Sequence, residues 1–359
     1  MKSVLITGFP GFLGSSLLPR ILARRPDRNA VCLVQERWRD VAEKRLQALI
    51  DDNSDLQGRV QLIDGDITET GLGIPDEVAA DINEVFHLAA VYDLSVPEEV
   101  ARRVNVDGTQ NVIDFCQERG DFLRLQYVST CYVSGRYEGT FYEDDLDVGQ
   151  KLQNFYESTK FEAEGLVREA MSSGLPASIY RPGVVVGDSN TGDTQKFDGP
   201  YFLANLMKMQ PKVAVVPRVA DPDEIVFSMV PRDFVVSGID ALSTADVAVG
   251  KTYALTDPNA PTVRHLVATF AKLLHRRVTL VPVPLPVLKP VVQIPGVETV
   301  IGVPAESLDY FAFPTKYDTT NATTDLAELG IRCPSFDEYA PNLIRFFLEH
   351  PDISSSAMT

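Results

Sequence analysis

The stretch Thr7-Gly8-Phe9-Pro10-Gly11-Phe12-Leu13-Gly14 decides how this chain is read. It closes the apolar, strand-like run Val4-Leu5-Ile6-Thr7 and leads into a helix predicted from Gly14 to about Arg24. Glycines at 8, 11 and 14 supply what such a turn needs when a pyrophosphate lies against it. The turn must be tight, the backbone must approach the phosphates closely, and the helix must pack closely on the strand. The phosphates then lie at the helix N-terminus, where amides without intrahelical partners and the helix dipole favour an anion. Gly8, Pro10, Gly11, Phe12 and Leu13 are therefore the first candidate contacts of a dinucleotide.

Outward from this loop, short apolar runs alternate with helical segments. Residues 30–34, 60–66, 84–90, 125–130 and 178–187 read as further strands, and helices are expected through Ile50, around 105–118 and before 178. Strands that are apolar throughout, separated by helices, indicate a parallel sheet covered on both faces. The predicted fold is thus α/β: a doubly wound parallel Rossmann sheet with a smaller C-terminal substrate-binding subdomain. After about residue 188 prolines and turn residues break the rhythm. The expected division is a Rossmann unit over 1–190, joined again by 229–260, and a substrate side over 191–228 and 261–350. A tail at 351–359, ending Ile-Ser-Ser-Ser-Ala-Met-Thr, is expected to be disordered.

The end of the second strand bears on cofactor choice. A carboxylate there suits the ribose hydroxyls of NAD, whereas a cation suits the 2′-phosphate of NADP. Val34-Gln35-Glu36-Arg37-Trp38-Arg39 offers both signs. The reading adopted is NADP(H) ahead of NAD(H), with Gln35 at the strand end and Arg37 as phosphate partner. Asp66, closing the third strand, is placed to meet the adenine amino group.

The chemistry-bearing pattern is Tyr156-Glu157-Ser158-Thr159-Lys160. Tyrosine and lysine four apart share one helix face. An ammonium beside a phenol stabilises the phenolate, so the tyrosine becomes a usable proton donor or acceptor at a carbonyl. Thr130 ends the strand Tyr127-Val128-Ser129-Thr130 and offers a hydroxyl at a strand's carboxyl end, where open α/β sheets bind ligands.

Together these pieces resemble an extended short-chain dehydrogenase/reductase. The matching segments run in order over about the first 190 residues: TGFPGFLG at 7–14, GDI at 65–67, HLAA at 87–90, NVDGT at 105–109, YVST at 127–130, YESTK at 156–160 and RPGVVVG at 181–187. The resemblance implies Thr130, Tyr156 and Lys160 as catalytic residues, with Lys160 also holding the nicotinamide ribose. It implies that Ile67, Leu88, Ala89, Ala90, Val91, Asn105 and Gly183 line the cofactor channel, and that His87 is a packing residue rather than a general base. GFLG, the span from His87 to Asn105 and RPGVVVGDSNTG are similar to the fatty acyl-CoA reductase and thioester reductase branch, while HLAA departs from its usual HNGA. Asp233, in the Val230–Val235 segment that resembles the family's return to the core, is expected to be structural. Dimers built from two helices are common in this superfamily, which suggests a homodimer.

Substrate class is read from the later segments. Residues 280–303 carry little charge beyond Lys289 and Glu298, and few basic residues that a sugar diphosphate would need. They are read as core and linker, or as an apolar mouth or lid with transient membrane contact. The expected activity is an NADP(H)-dependent reduction of an apolar carbonyl, either acyl thioester to aldehyde or aldehyde or ketone to alcohol. The rival enzyme is a nucleotide-sugar epimerase or dehydratase with bound NAD; the non-enzymatic rival is a nucleotide-sensing scaffold.

Composition sets the exclusions. The 359 residues include 33 Lys and Arg against 50 Asp and Glu, a formal charge of −17 at pH 7. Such a surface repels phosphodiesters, which sets aside nucleic-acid partners and polybasic membrane contacts. Cys32, Cys116, Cys131 and Cys333 have neither C-x-x-C nor metal-site spacing with histidine, so no metal is expected. Five prolines between 282 and 295 rule out an ordinary spanning helix in the most apolar stretch, and the residues before the first strand carry no basic and apolar leader pattern, so no targeting segment is expected. A cytoplasmic location is the expectation.

Overall fold

The structure, a computed structural model, describes residues 2–92, 96–294 and 305–354. The end of the predicted disordered tail (355–359) and residues 295–303 of the apolar stretch lie outside the described residues. Among the described residues thirteen strands run in chain order: β1 (Ser3–Thr7), β2 (Asn29–Val34), β3 (Val60–Asp64), β4 (Ile82–His87), β5 (Arg124–Val128), β6 (Gly139–Phe141), β7 (Ala177–Pro182), β8 (Val184–Val186), β9 (Val213–Arg218), β10 (Met229–Pro231), β11 (Thr252–Leu255), β12 (Arg277–Pro282) and β13 (Thr315–Tyr317). Seven of them form one sheet in the order β3-β2-β1-β4-β5-β7-β11. Every pairing in it is parallel.

The apolar runs are explained by burial on two faces. Along β1, Val4 and Ile6 enter one core while Leu5 enters the other. Along β2, Ala30, Cys32 and Val34 alternate with Val31 and Leu33 in the same way. The helices Phe12–Arg24 and Arg232–Leu242 cover the first face, and Gly108–Gln117 and Phe155–Ser172 cover the second. The order of strands reverses between β1 and β4, and a ligand crevice opens at such a switch point, outside the carboxyl ends of the strands. There Thr7, His87 and Tyr127 stand side by side in register.

One predicted strand is two. Residues 178–187 break at Gly183, where a Cβ would lie 2.4 Å from the Ser228 carbonyl oxygen. β7 stays in the main sheet, while β8 pairs with β10. The chain thus leaves the sheet plane at a residue with no side chain.

A further apolar cluster gathers Tyr201, Leu203 and Met207 with Leu266, Phe270, Tyr339, Leu343 and Phe347. Its helices are Pro200–Met209, Val263–Leu273 and Phe336–Glu349, the last begun by a reciprocal Ser335–Glu338 capping box. The ribbon β9–β12 lays Ala214 and Val216 on this cluster. The helix Thr320–Glu328 packs Ala322 and Leu326 against Val235, Ile239 and Leu255 of the sheet's own core. Among the described residues no helix is long and apolar enough to cross a membrane.

Candidate active site

The glycine loop closes on one atom. Gly8 takes φ +86°, a conformation that disfavours side chains, and a Cβ on it would lie 2.8 Å from the Ala89 nitrogen. Cβ atoms on Gly11 and Gly14 would lie 2.7 and 2.8 Å from the Gly8 carbonyl oxygen, which accepts the Gly11 amide at 2.9 Å. The helix that follows starts at Phe12, two residues before the predicted Gly14, with no side-chain cap and no acidic residue in its first turn. The amides of Phe12, Leu13 and Gly14 find no partner among the described residues. This cradle, free of Cβ atoms and lined with amides, fits the diphosphate of a dinucleotide.

At the end of β2, Gln35 bridges two groups. Its amide nitrogen donates to Asp66 at 2.7 Å, and its amide oxygen accepts from Arg37 Nε at 2.9 Å. Arg37 is exposed, with its guanidinium 5.5 Å above the Trp38 ring. Arg39 is occupied with Asp64, Glu43 and the Leu62 carbonyl. Asp66 also accepts the Thr68 amide at 2.9 Å, so both its oxygens are engaged before any adenine is considered. Ile67 is buried, and its carbonyl accepts from Asn111 at 2.8 Å.

After β4 the chain carries Leu88, Ala89, Ala90 and Val91 past the loop. The Ala89 amide donates to Thr7 Oγ1, and Val91 is gripped on both backbone groups by Asn105, at 2.8 and 2.9 Å. Asn105 lies in a π-helical turn, Arg103–Asp107, and also donates to Thr159 at 3.0 Å. It therefore ties this wall to the catalytic-type helix. Gly183 is packed against Ser228 and lies at the β7–β8 break. Asp233 accepts from the Ser189 amide and hydroxyl, both at 2.7 Å.

The helix Phe155–Ser172 is capped by Asn154, whose side chain accepts the Glu157 amide at 2.9 Å. It brings half-buried Tyr156 close enough to Thr130 for the two hydroxyls to influence one another. Burial pushes the Tyr156 phenol up to about 12, with the Thr130 hydroxyl opposing. Lys160 is fully enclosed, and burial pulls its ammonium down to about 7 against the opposing charge of Glu164. That ammonium does not bond to Tyr156. It donates to Tyr127 Oη and to the Val128 carbonyl, each at 2.9 Å.

Three groups of the site escaped the sequence reading. Tyr127 and Thr109 stood inside quoted motifs, but their roles depend on strand neighbours far apart in the chain. Glu164, four residues beyond Lys160, accepts from Ser129 at 2.7 Å and from Arg181 at 2.6 Å. Burial alone would raise its carboxyl, yet the Arg181 guanidinium outweighs that and holds it below the usual range. The four-residue spacing to Lys160 was the available signal. His87 is enclosed between Thr7 and Thr109 and held neutral, pulled to about 3 by burial and the Lys160 charge.

Comparisons with known proteins place this geometry. A linear gramicidin synthase from Brevibacillus parabrevis is 28% identical over 74% of this chain, which spans 5% of that protein. Glycine betaine reductase ATRR of Emericella nidulans is 31% identical over 73% of the chain, which spans 21% of it. Among solved structures, the terminal R domain from the myxalamid PKS-NRPS biosynthetic pathway superposes with a TM-score of 0.80 at 25% identity, covering 98% of this chain and 91% of that one. A family match over residues 6–239 takes in both the glycine loop and the Tyr156–Lys160 helix. On that extent the chain belongs to the NAD-binding family described as Male sterility protein, built on the extended short-chain dehydrogenase/reductase architecture.

Proposed function

We propose that the chain is an NADP(H)-dependent reductase of an apolar carbonyl, either an acyl thioester taken to the aldehyde or an aldehyde or ketone taken to the alcohol. The observation that carries this reading is the pairing of Tyr156 with Thr130 at the carboxyl end of β5, beside a glycine loop shaped for a diphosphate. Gly8, Gly11 and the amides of Phe12 and Leu13 would hold the diphosphate, Gln35 and Asp66 the adenosine end, Arg37 the 2′-phosphate, and Lys160 the nicotinamide ribose. When bound, the reduced nicotinamide supplies the hydride that adds to the carbonyl carbon.

The chain's own residues manage the charge that develops on oxygen. Thr130 donates a hydrogen bond to the carbonyl oxygen and Tyr156 passes it a proton, so no free alkoxide forms. The phenol's high proton affinity keeps it in the donor form across the neutral range. Lys160, as a nearby buried cation, favours the phenolate left behind. With a thioester, the same addition gives a hemithioacetal, whose collapse releases thiol and aldehyde. Glycine betaine is a carboxylate, so the name of the glycine betaine reductase relative supports a reductase reading at the carboxyl level.

The test is consumption of reduced nicotinamide, with NADPH and NADH in parallel, on acyl thioesters, aldehydes, ketones and UDP-sugars. Carbonyl-dependent oxidation of NADPH is expected. Conversion of a UDP-sugar without net cofactor consumption would favour the epimerase alternative. Tyr156→Phe is expected to lower kcat by ~10²–10⁴-fold while the fold persists. Full turnover in that variant would remove Tyr156 from the reaction.

A further inference from the structure

The formal charge of −17 is not spread evenly over the molecule. Residues 199–220 and 258–294 hold eight of the chain's 33 Lys and Arg and none of its 50 Asp and Glu. The two segments are distant in sequence, but β9 of the first pairs with β12 of the second, Val213 opposite Arg277. Their helices Pro200–Met209 and Val263–Leu273 share one apolar cluster with that ribbon. The fold thus gathers the acid-free stretches into one unit of an otherwise acidic protein. Asp223 and Asp309, from outside the two segments, are bound to Arg264 and Lys289. Lys212 and Arg277 adjoin through the Arg277 amide and the Lys212 carbonyl at 2.9 Å. Both are exposed, and their side chains have no partner among the described residues.

The surface that this unit turns outward is apolar as well as basic. A ribbon with one face on a core ordinarily alternates apolar and polar residues. β9 does lay Ala214 and Val216 on the core, yet the intervening Val213 and Val215 are about half exposed. Beside them β12 exposes Arg277, Thr279 and Val281. Two residues further on, the helix Leu285–Val292 repeats the pattern. Leu285, Leu288 and Val292 pack with Phe202 and Leu308, while Val287 and Val291, one turn apart on the other side, are about half exposed. A helix apolar on all sides is normally enclosed, and the single charge of this one, Lys289, is already paired.

We propose that β9, β12 and the helix Leu285–Val292 seat the protein on an anionic lipid surface. Val213, Val215, Val287 and Val291 enter the headgroup boundary, and Lys212 and Arg277 meet lipid phosphates. An anionic occupant matches the absence of carboxylates, and each Lys or Arg near such a surface is worth about five-fold in partitioning. The acidic remainder of the molecule does not cancel this attraction, because the Debye length is about 8 Å at physiological ionic strength. A lipid occupant matches the aliphatic character of the face. The aromatic residues of both segments, Tyr201, Phe202 and Phe270, are buried, whereas protein interfaces are anchored by aromatic side chains. Shallow seating of this kind needs no spanning helix. Net charge alone sets such a contact aside; segregation of the charge by the fold restores it. The proposal stands apart from the reductase reading, since vesicle binding is read without turnover.

The full chain should co-sediment with vesicles of phosphatidylcholine mixed with phosphatidylglycerol, and ~10-fold less with phosphatidylcholine alone. Added salt should weaken the first interaction. Lys212→Glu combined with Arg277→Glu should lower partitioning onto the anionic vesicles by ~25-fold or more. Lys44→Glu, on the exposed side of the helix Arg39–Asp52, alters charge away from this face and should leave binding within about two-fold. Val287→Gln combined with Val291→Gln removes apolar surface at constant charge and should lower binding by ~10-fold. Glutamine is the better helix former, so that variant is expected to fold. Circular dichroism checks each variant, and either double variant carries the test if the other does not fold. A parent that ignores anionic vesicles, or a folded double variant that binds them as the parent does, would overturn the proposal. A dimer seen by light scattering, broken by the glutamine variant and indifferent to vesicles, would overturn it in favour of a second copy of the chain.

Discussion

At the scale of single residues, burial rather than a charged neighbour decides the chemistry of Glu157. Glu157 adjoins Tyr156 and is wholly enclosed; burial pushes its carboxyl up to about 7, with the Gln153 amide opposing at 2.8 Å. The folded protein therefore holds this proton to higher pH than the unfolded chain, whose glutamates titrate near ~4.3. Its contribution to stability is full below that value and is lost as pH rises through about 7. Glu157→Gln keeps an acceptor without the titration. Its melting temperature relative to the parent should rise with pH, from little difference at pH 5 to a gain of roughly 2–4 °C at pH 8, the shift expected for about 1 kcal/mol. A difference that stays flat between the two pH values would show that Glu157 does not titrate in this range. The motif YESTK displays the spacing of Tyr156 and Lys160, but nothing in it tells that Glu157 faces inward.

At the scale of elements, backbone contacts set where strands and helices stop. The glycine loop shows two effects in competition at Gly14, which is inside the helix Phe12–Arg24. Helix propensity alone would favour Gly14→Ala by about 1 kcal/mol. Against that, the new Cβ would lie 2.8 Å from the Gly8 carbonyl oxygen and 3.3 Å from the Phe9 nitrogen, both backbone atoms that cannot swing away. Overpacking of this kind costs about 1–3 kcal/mol. The substitution should therefore destabilise, and the loop displaced from the helix end should lose dinucleotide affinity by ~10-fold or more in a fluorescence titration. A variant that binds as tightly as the parent and melts higher would mean that the loop has room to adjust. Gly183 shows the limit of reading elements from sequence. Residues 178–187 are uniformly strand-like, and only the approach of the Ser228 backbone explains why one run serves two sheets.

At the scale of the whole molecule, sequence distance and structural membership part company near the C-terminus. The helix Thr320–Glu328 seats Leu326 in the core formed by β1, β2 and the helix Arg232–Leu242. Lys251 and Tyr253 reinforce it by donating to Asp325 at 2.8 and 2.7 Å. Glu143 extends the tie by accepting the amides of Ala254, Asn321 and Ala322. Leu326→Ala should cost about 2–5 kcal/mol, the usual range for an enclosed leucine. The loss should appear in the transition that also reports dinucleotide protection. A loss confined to a separate unfolding step would show that the helix is not part of that core.

The amino-acid sequence by itself determined the parallel α/β sheet, because strands buried on both faces must be apolar at every position, as Val4-Leu5-Ile6 and Val31-Cys32-Leu33 are. It also determined the glycine loop and the shared helix face of Tyr156 and Lys160, since local geometry dictates both. Tertiary structure alone decided what surrounds them: the Tyr127–Lys160 contact, the Glu164–Arg181 pair and the fold-back of Thr320–Glu328 onto Glu143 and the sheet core. The Glu164–Arg181 pair joins residues 17 positions apart, and the Glu143–Ala322 bond joins residues 179 apart. They exist because the fold packs helices, turns and strands that are distant in sequence against one another, and burial there gives each polar group a partner that local spacing does not reveal.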